Sequence, residues 1–244
     1  MAGARMTQGD TIRIQILTPV VKGVLDDDVI PRLPSFVQAE AGWLTEGPSS
    51  IESRTDEARA VPAMLDAVVA AAADGVDGVV LNCFMDPAVG AARELTHLPV
   101  AAPGQSAMTL ASTLGGRFSV ILPAASGAPI VAEQAHAYVG RERLASVRSV
   151  EMAVAEMRDR DRLVTGLVEQ AERAIGEDGA DVVILGCTGM CGVTSAFRAA
   201  LAHHDVPVID PTVAAVGAVV SQLMLGVHHS GSAYALPAWR REAR

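Results

Sequence analysis

Apolar residues fall into two rhythms along this chain. Short unbroken runs bounded by glycine, proline or aspartate read as strands buried on both faces, and stretches with apolar positions three or four apart read as helices. The clearest run is duplicated. Gly75-Val-Asp-Gly-Val-Val-Leu-Asn-Cys83 and Gly179-Ala-Asp-Val-Val-Ile-Leu-Gly-Cys187 match at a constant offset of 104, so Asp77 pairs with Asp181, Leu81 with Leu185 and Cys83 with Cys187. A break and a helical pattern follow each copy, which places each cysteine at the C-terminal end of a buried parallel strand. Thr11 to Leu17 reads as the first strand and stops at Thr18-Pro19; Arg117 to Leu122 opens the second half in the same way and stops at Pro123. Leu98-Pro99-Val100 and Val206-Pro207-Val208-Ile209 form another equivalent pair, each followed by a helix.

Helices are expected over Asp56 to Ala73, with Ala60, Met64, Val68 and Ala71 on one side and acids at the start, where the dipole favours them. A further helix is expected from Asp86-Pro87, with Asp86 as N-cap and Pro87 at the first helical position. Others are expected over Val131 to Val139, Asp161 to Ile175 and Thr212 to Val227, the last as a buried helix. Leu144 to Val150 reads as a strand, and the section through Pro48, with Trp43, as irregular.

The repeat predicts an α/β protein of two similar lobes, each a mostly parallel sheet flanked by helices, related by pseudo-twofold symmetry with the active site between them. The first lobe is expected over 11–115, with the C-terminal helix 211–227 packing back on it, and the second over 116–210. Ligands of α/β proteins bind beyond the C-terminal ends of the strands. Two duplicated thiols would then reach the two sides of one cleft, as a reaction that moves a proton from one face of a carbon to the other requires.

Composition and charge narrow the field. Half of the 244 residues are apolar and only 3% aromatic, so the core is expected to be small and aliphatic. A net charge of −9 without clustered Lys and Arg argues against nucleic acid as a partner. Met1 to Asp10 lacks the apolar stretch of a secretory signal, and no run reaches the length of a membrane span, so no membrane association is expected. Three cysteines, an odd number, point to reduced thiols and a cytoplasmic location. No metal-ligand spacing, dinucleotide fingerprint or phosphate loop is found, so neither metal nor cofactor is expected.

Racemisation next to a carbonyl needs a base on one face, an acid on the other and donors for the oxygen that gains charge. A thiol, with an ordinary pKa of about 8.5, can serve as either acid or base. A following helix N-terminus is expected to lower it. Cys83 and Cys187 are therefore the catalytic candidates. Phe84, Met85, Asp86, Thr188, Gly189 and Met190 are the substrate-binding candidates, through the N–H groups that follow each thiol. Asp86 reads more readily as a helix cap than as a catalytic acid; the Thr188 hydroxyl serves either substrate or a cap. Asn82 and Ser126 are further pocket candidates, and Cys191, without a partner in the first half, reads as structural.

An ordered set of motifs runs through nearly the whole chain: Gly47-Pro48-x-Ser50-Ile51-Glu52, Asp56-Glu57, Ala60-Val61-Pro62, Cys83-Phe84-x-Asp86-Pro87, Ala91-Ala92-Arg93-Glu94, Leu114-Gly115-x-Arg117-Phe118-Ser119-Val120, Leu185-Gly186-Cys187-x-Gly189-Met190 and Pro207-Val208-Ile209-Asp210. With these the chain resembles the hydantoin racemase branch of the aspartate/glutamate racemase superfamily. The resemblance implies a two-lobed α/β fold and a cofactor-independent racemase acting on a small carbonyl compound, a 5-substituted hydantoin or related cyclic ureide, through Cys83 and Cys187. It also implies a homo-oligomer.

Two segments depart from the family pattern: Thr18-Pro19-Val20-Val21, which makes Pro19 a substrate-pocket candidate, and Pro123-Ala124-Ala125-Ser126. Both replace polar residues that hold substrate in relatives. Rival readings are a maleate-type cis/trans isomerase, an arylmalonate-type decarboxylase, and a binding protein whose lobes close on a ligand without chemistry.

Overall fold

The computed structural model describes residues 11–23 and 30–236. Two four-stranded parallel sheets carry the chain. In the first, β1 (Ile12–Val21), β2 (Val37–Leu44), β3 (Gly78–Leu81) and β4 (Val100–Ala101) lie in the order β2-β1-β3-β4. In the second, β5 (Phe118–Leu122), β6 (Leu144–Ser149), β7 (Val182–Leu185) and β8 (Val208–Ile209) lie in the order β6-β5-β7-β8. The α/β class and the paired lobes follow the duplication.

The duplication holds down to register. Ile14 lies opposite Gly78 and Leu17 opposite Leu81; Phe118 lies opposite Val182 and Ile121 opposite Leu185. Asp77 and Asp181 play the same part in each lobe. The Asp77 carboxylate accepts the Arg13 N–H at 2.7 Å, and Asp181 accepts those of Gly116 and Arg117 at 2.8 and 3.0 Å, so each acid ties the start of its lobe's first strand to the signature strand.

Helix α1 (Arg54–Ala73) starts at a Ser53 N-cap whose side chain accepts the Asp56 N–H, and it buries Ala60, Met64, Val68 and Ala71, the four positions the sequence spacing selects. Those side chains cover one face of the first sheet. The second sheet is covered in the same way by α5 (Arg160–Gly176), through Leu163, Leu167 and Ala171.

The remaining faces are covered by exchange. Helix α3 (Pro103–Leu114) follows β4 of the first sheet but packs Ala107, Met108 and Ala111 with Phe118, Val120, Val182 and Ile184 of the second, joined there by Val131 and Ala135 of α4 (Ala128–Tyr138). Helix α7 (Pro211–Leu225) follows β8 and packs Ala215, Val216 and Val219 on Ile12, Ile14, Ile16 and Val80 of the first. Each helix also lies against the other. This mutual embrace sets how the two sheets face one another.

Three expectations change. Val37–Leu44 is a strand, not irregular chain: it is the edge partner of β1, and Gln38, Glu40 and Gly42 alternate with Val37, Ala39, Ala41 and Trp43 as on a half-exposed edge, where β3 and β7 are continuous apolar runs. Helix α7 is not buried throughout, since Met224 and Leu225 beyond the sheet edge are 70% and 72% exposed. The helix expected at Asp86-Pro87 begins later, as α2 (Val89–Leu95), because Asp86 and Ala88 both take left-handed backbone (φ 52° and 54°). No described helix is long and apolar enough to cross a membrane.

Candidate active site

The C-terminal ends of β1, β3, β5 and β7 border a single pocket that holds both Cys83 and Cys187. Pro19, Asn82, Phe84, Met85, Thr188 and Gly189 line it too, so it gathers most of the residues singled out in the sequence. Thr18, Pro123, Ala124 and Ser126 complete two of its walls; Thr18 and Pro19 lie inside β1, which runs on to Val21 because β2 continues to pair with it, and does not stop at Thr18-Pro19 as the sequence suggests.

Each cysteine ends its strand in the same local geometry. The Cys83 carbonyl accepts the Asp86 N–H at 3.1 Å, and the Cys187 carbonyl accepts that of Met190 at 3.1 Å. The turn so closed brings the Met85 N–H to the Cys83 thiol and the Gly189 N–H to the Cys187 thiol. Cys187 is followed by a 3-10 segment, Thr188–Val193, and then α6 (Thr194–Ala200). The residue before each cysteine breaks the symmetry. Asn82 is almost wholly buried; its amide donates to Thr18 Oγ1 at 3.3 Å and accepts from Thr212 Oγ1 at 2.9 Å, tying β1 to α7. Gly186 has no such room: a side chain there would meet Leu122 Cδ2 at 2.6 Å and the Ile121 carbonyl at 2.8 Å.

Asp86 and Met190 do not line the pocket. Met190 is fully buried in the second lobe's core. Asp86 turns to the start of α3, accepting the Gly104 N–H at 2.8 Å and the Gln105 N–H at 2.7 Å. It is a cap, but of a helix that begins well beyond it, and burial pushes its carboxyl up to about 7 despite those donors. The Thr188 hydroxyl donates to the Asn82 carbonyl at 3.2 Å, a bond between the lobes, not a cap. Cys191 is half-buried and outside the pocket lining.

The thiols depart from expectation in a way that matters chemically. Each sulfur opens on the pocket but is enclosed by protein on its other sides, and this burial, which penalises the thiolate, outweighs the nearby N–H groups. Cys187 is pushed up to about 11 by burial, against the Gly189 N–H and with a further push from the Glu52 carboxylate. Cys83 is pushed higher still, by burial first, against the Met85 N–H, and then by the charges of Cys187, Asp86 and Glu57. The pair is electrostatically coupled and unequal, with Cys187 the easier to ionise.

Sequence reasoning did not assign Ser49, Ser50, Ile51, Glu52 or Val154 to the pocket, yet all line it. The first four sit on the irregular stretch before α1, anchored by the Val21 N–H to the Pro48 carbonyl at 3.0 Å. Their motif was visible; their place was not. Among the described lining residues there is no Lys, Arg or His, and Glu52 is the one Asp or Glu.

The chain is similar to known proteins along most of its length. The family model described as Asp/Glu/Hydantoin racemase matches residues 25–219. The chain is 36% identical to a hydantoin racemase from Rhizobium meliloti over 79% of this chain and 80% of that one. Among solved structures, an allantoin racemase from Klebsiella pneumoniae superposes with a TM-score of 0.85 at 30% identity, over 93% of this chain and 94% of its own. An allantoin racemase from Pseudomonas fluorescens follows at 0.82 and 28% identity, over 93% and 97%.

Proposed function

The chain belongs to the Asp/Glu/hydantoin racemase family, and we propose that it is a cofactor-independent isomerase that inverts the carbon next to the carbonyl of a 5-substituted hydantoin or related cyclic ureide such as allantoin. The observation that carries this reading is the placement of Cys83 and Cys187, one from each repeat, in one pocket. On this reading the lobes 11–115 (with 211–227) and 116–210 each supply one base.

At rest both sulfurs are thiols, and the smaller push on Cys187 makes it the one that gives up its proton first; while it is ionised, its charge keeps Cys83 protonated. The Cys187 thiolate takes the α-proton from one face, the electron pair passes to the carbonyl oxygen, and the Cys83 S–H returns a proton to the opposite face. Cys187 is left as thiol and Cys83 as thiolate, ready for the other enantiomer. The backbone N–H groups that follow each cysteine, at Phe84 and Thr188, are the donors for the developing oxyanion. The absence of a cation from the described lining favours a neutral ring over an amino acid, maleate or a malonate, each of which brings a carboxylate.

Self-association belongs to the same proposal. Leu110 and Leu114 of α3 and Val213 of α7 stay 41%, 49% and 40% exposed along one groove, apolar area that a second copy would cover. Thiols that must stay reduced suit a cytoplasmic setting.

The test is single replacement of Cys83 or Cys187 by Ser, followed by optical rotation and α-hydrogen exchange in deuterated water. Net racemisation is expected to vanish in each variant, while one enantiomer, a different one for each, still exchanges with retention. A variant that racemises at the wild-type rate would refute the two-base scheme, and ligand-induced stabilisation without turnover in the wild type would favour a binding protein.

A further inference from the structure

Glu52 is the charged residue of the pocket lining, and the bases do not use it. It stands on the loop before α1, where its backbone N–H reaches the Asp56 carboxylate at 3.3 Å; Asp56 is itself fixed by the Ser53 hydroxyl at 2.7 Å. The Ser50 hydroxyl, also on the lining, donates to Glu52 Oε1 at 2.8 Å. No further hydrogen bond to this carboxylate is made among the described residues, so acceptor capacity remains on it. Its charge is felt at Cys187, which places it on that side of the pocket.

We infer that Glu52, oriented by Ser50, is the specificity-determining acceptor of this pocket: it takes a ring N–H of a closed ureide and turns away the ring-opened N-carbamoyl acid. The inference rests on the proposed ureide reading and adds to it the feature by which substrate is chosen. A cyclic ureide has N–H donors flanking its carbonyls and no fixed charge, so it offers Glu52 a charge-assisted hydrogen bond. Hydrolysis of the ring turns the carbonyl next to the reacting carbon into a carboxylate. That group would meet the Glu52 carboxylate with no cation in the described lining to offset it. The pocket would thus act on a ureide before ring opening and ignore the acid after it.

The experiment compares wild type, Glu52→Gln and Glu52→Ala by steady-state racemisation of an enantiopure 5-substituted hydantoin, with the matching N-carbamoyl acid as competitor. Glu52→Ala is expected to raise KM by tenfold or more, on the order of the loss of a charge-assisted bond, with a smaller change in kcat. Glu52→Gln, which keeps an acceptor oxygen but loses the charge, is expected to raise KM less and to make the N-carbamoyl acid a roughly tenfold better inhibitor. Unchanged KM in both variants, or competition by the acid that is equally weak in all three proteins, would overturn the inference. A wild type that racemises no ureide would instead overturn the reading beneath it.

Discussion

The reactivity of Cys187 tests the account of the site most directly, because the effects of burial and of the following N–H groups oppose one another there. In a variant carrying Cys83→Ser and Cys191→Ser, Cys187 is the only thiol, and none of the influences on its ionisation comes from the replaced residues. With its pKa pushed up to about 11, the thiolate fraction at about pH 8 is about one in a thousand, against about one quarter for an ordinary thiol of pKa about 8.5. That is a deficit of about 250-fold. Nucleophilicity rises with pKa along a slope of roughly 0.4–0.5, which restores about tenfold and leaves alkylation about 20-fold slower than that of a free thiol. The rate of iodoacetamide capture, followed by intact mass, is expected to climb about tenfold per pH unit from about pH 7 to about pH 10 without a plateau. A plateau below about pH 9, or a rate at about pH 8 equal to that of a free thiol, would show that the Gly189 N–H and the helical turn outweigh desolvation, and the burial account of this thiol would fall.

Two further outcomes follow from the fold. Asp86 is an acid whose folded pKa, about 7, lies above the ordinary value of about 3.9, so protonation favours the folded state: its contribution is full below about pH 4 and is lost as pH rises through about 7, by on the order of 4 kcal/mol. Asp86→Asn should flatten the pH dependence of denaturant stability in that window, whereas Asp86→Ala, which also leaves the Gly104 and Gln105 N–H groups without their acceptor, should cost about 1–2 kcal/mol at about pH 4 and less as pH rises and the wild type loses its own contribution; an unaltered slope in Asp86→Asn would contradict the burial argument. Paired Leu114→Lys and Val213→Lys should shift sedimentation toward a smaller species while circular dichroism stays unchanged, and wild-type protein sedimenting as a monomer would remove the proposed self-association.

The chain by itself determined what depends on local pattern. The offset repeat fixed two equivalent lobes, the apolar runs fixed β3 and β7 with a cysteine at the end of each, and the spacing of Ala60, Met64, Val68 and Ala71 marked the buried side of α1. Periodicity reports on which face of an element is buried, and that is settled within a few residues. Tertiary structure decided whatever depends on partners far along the chain. β2 pairs in parallel with β1, and although Val37, Ala39, Ala41 and Trp43 alternate with Gln38, Glu40 and Gly42, the small alanines made that pattern easy to pass over until β1 supplied its hydrogen bonds. Asp86 carries an N-cap signature, yet its carboxylate goes to α3, whose N–H groups stand closer in space than those of the helix that follows it. The exchange of α3 and α7, and the arrival of Ser50 and Glu52 in the pocket of the two cysteines, are likewise products of packing. So is the direction of the thiol shifts: the sequence shows the helical turn that lowers a pKa, but the desolvation that raises it depends on how completely two lobes close around a sulfur, which exists only once they have met.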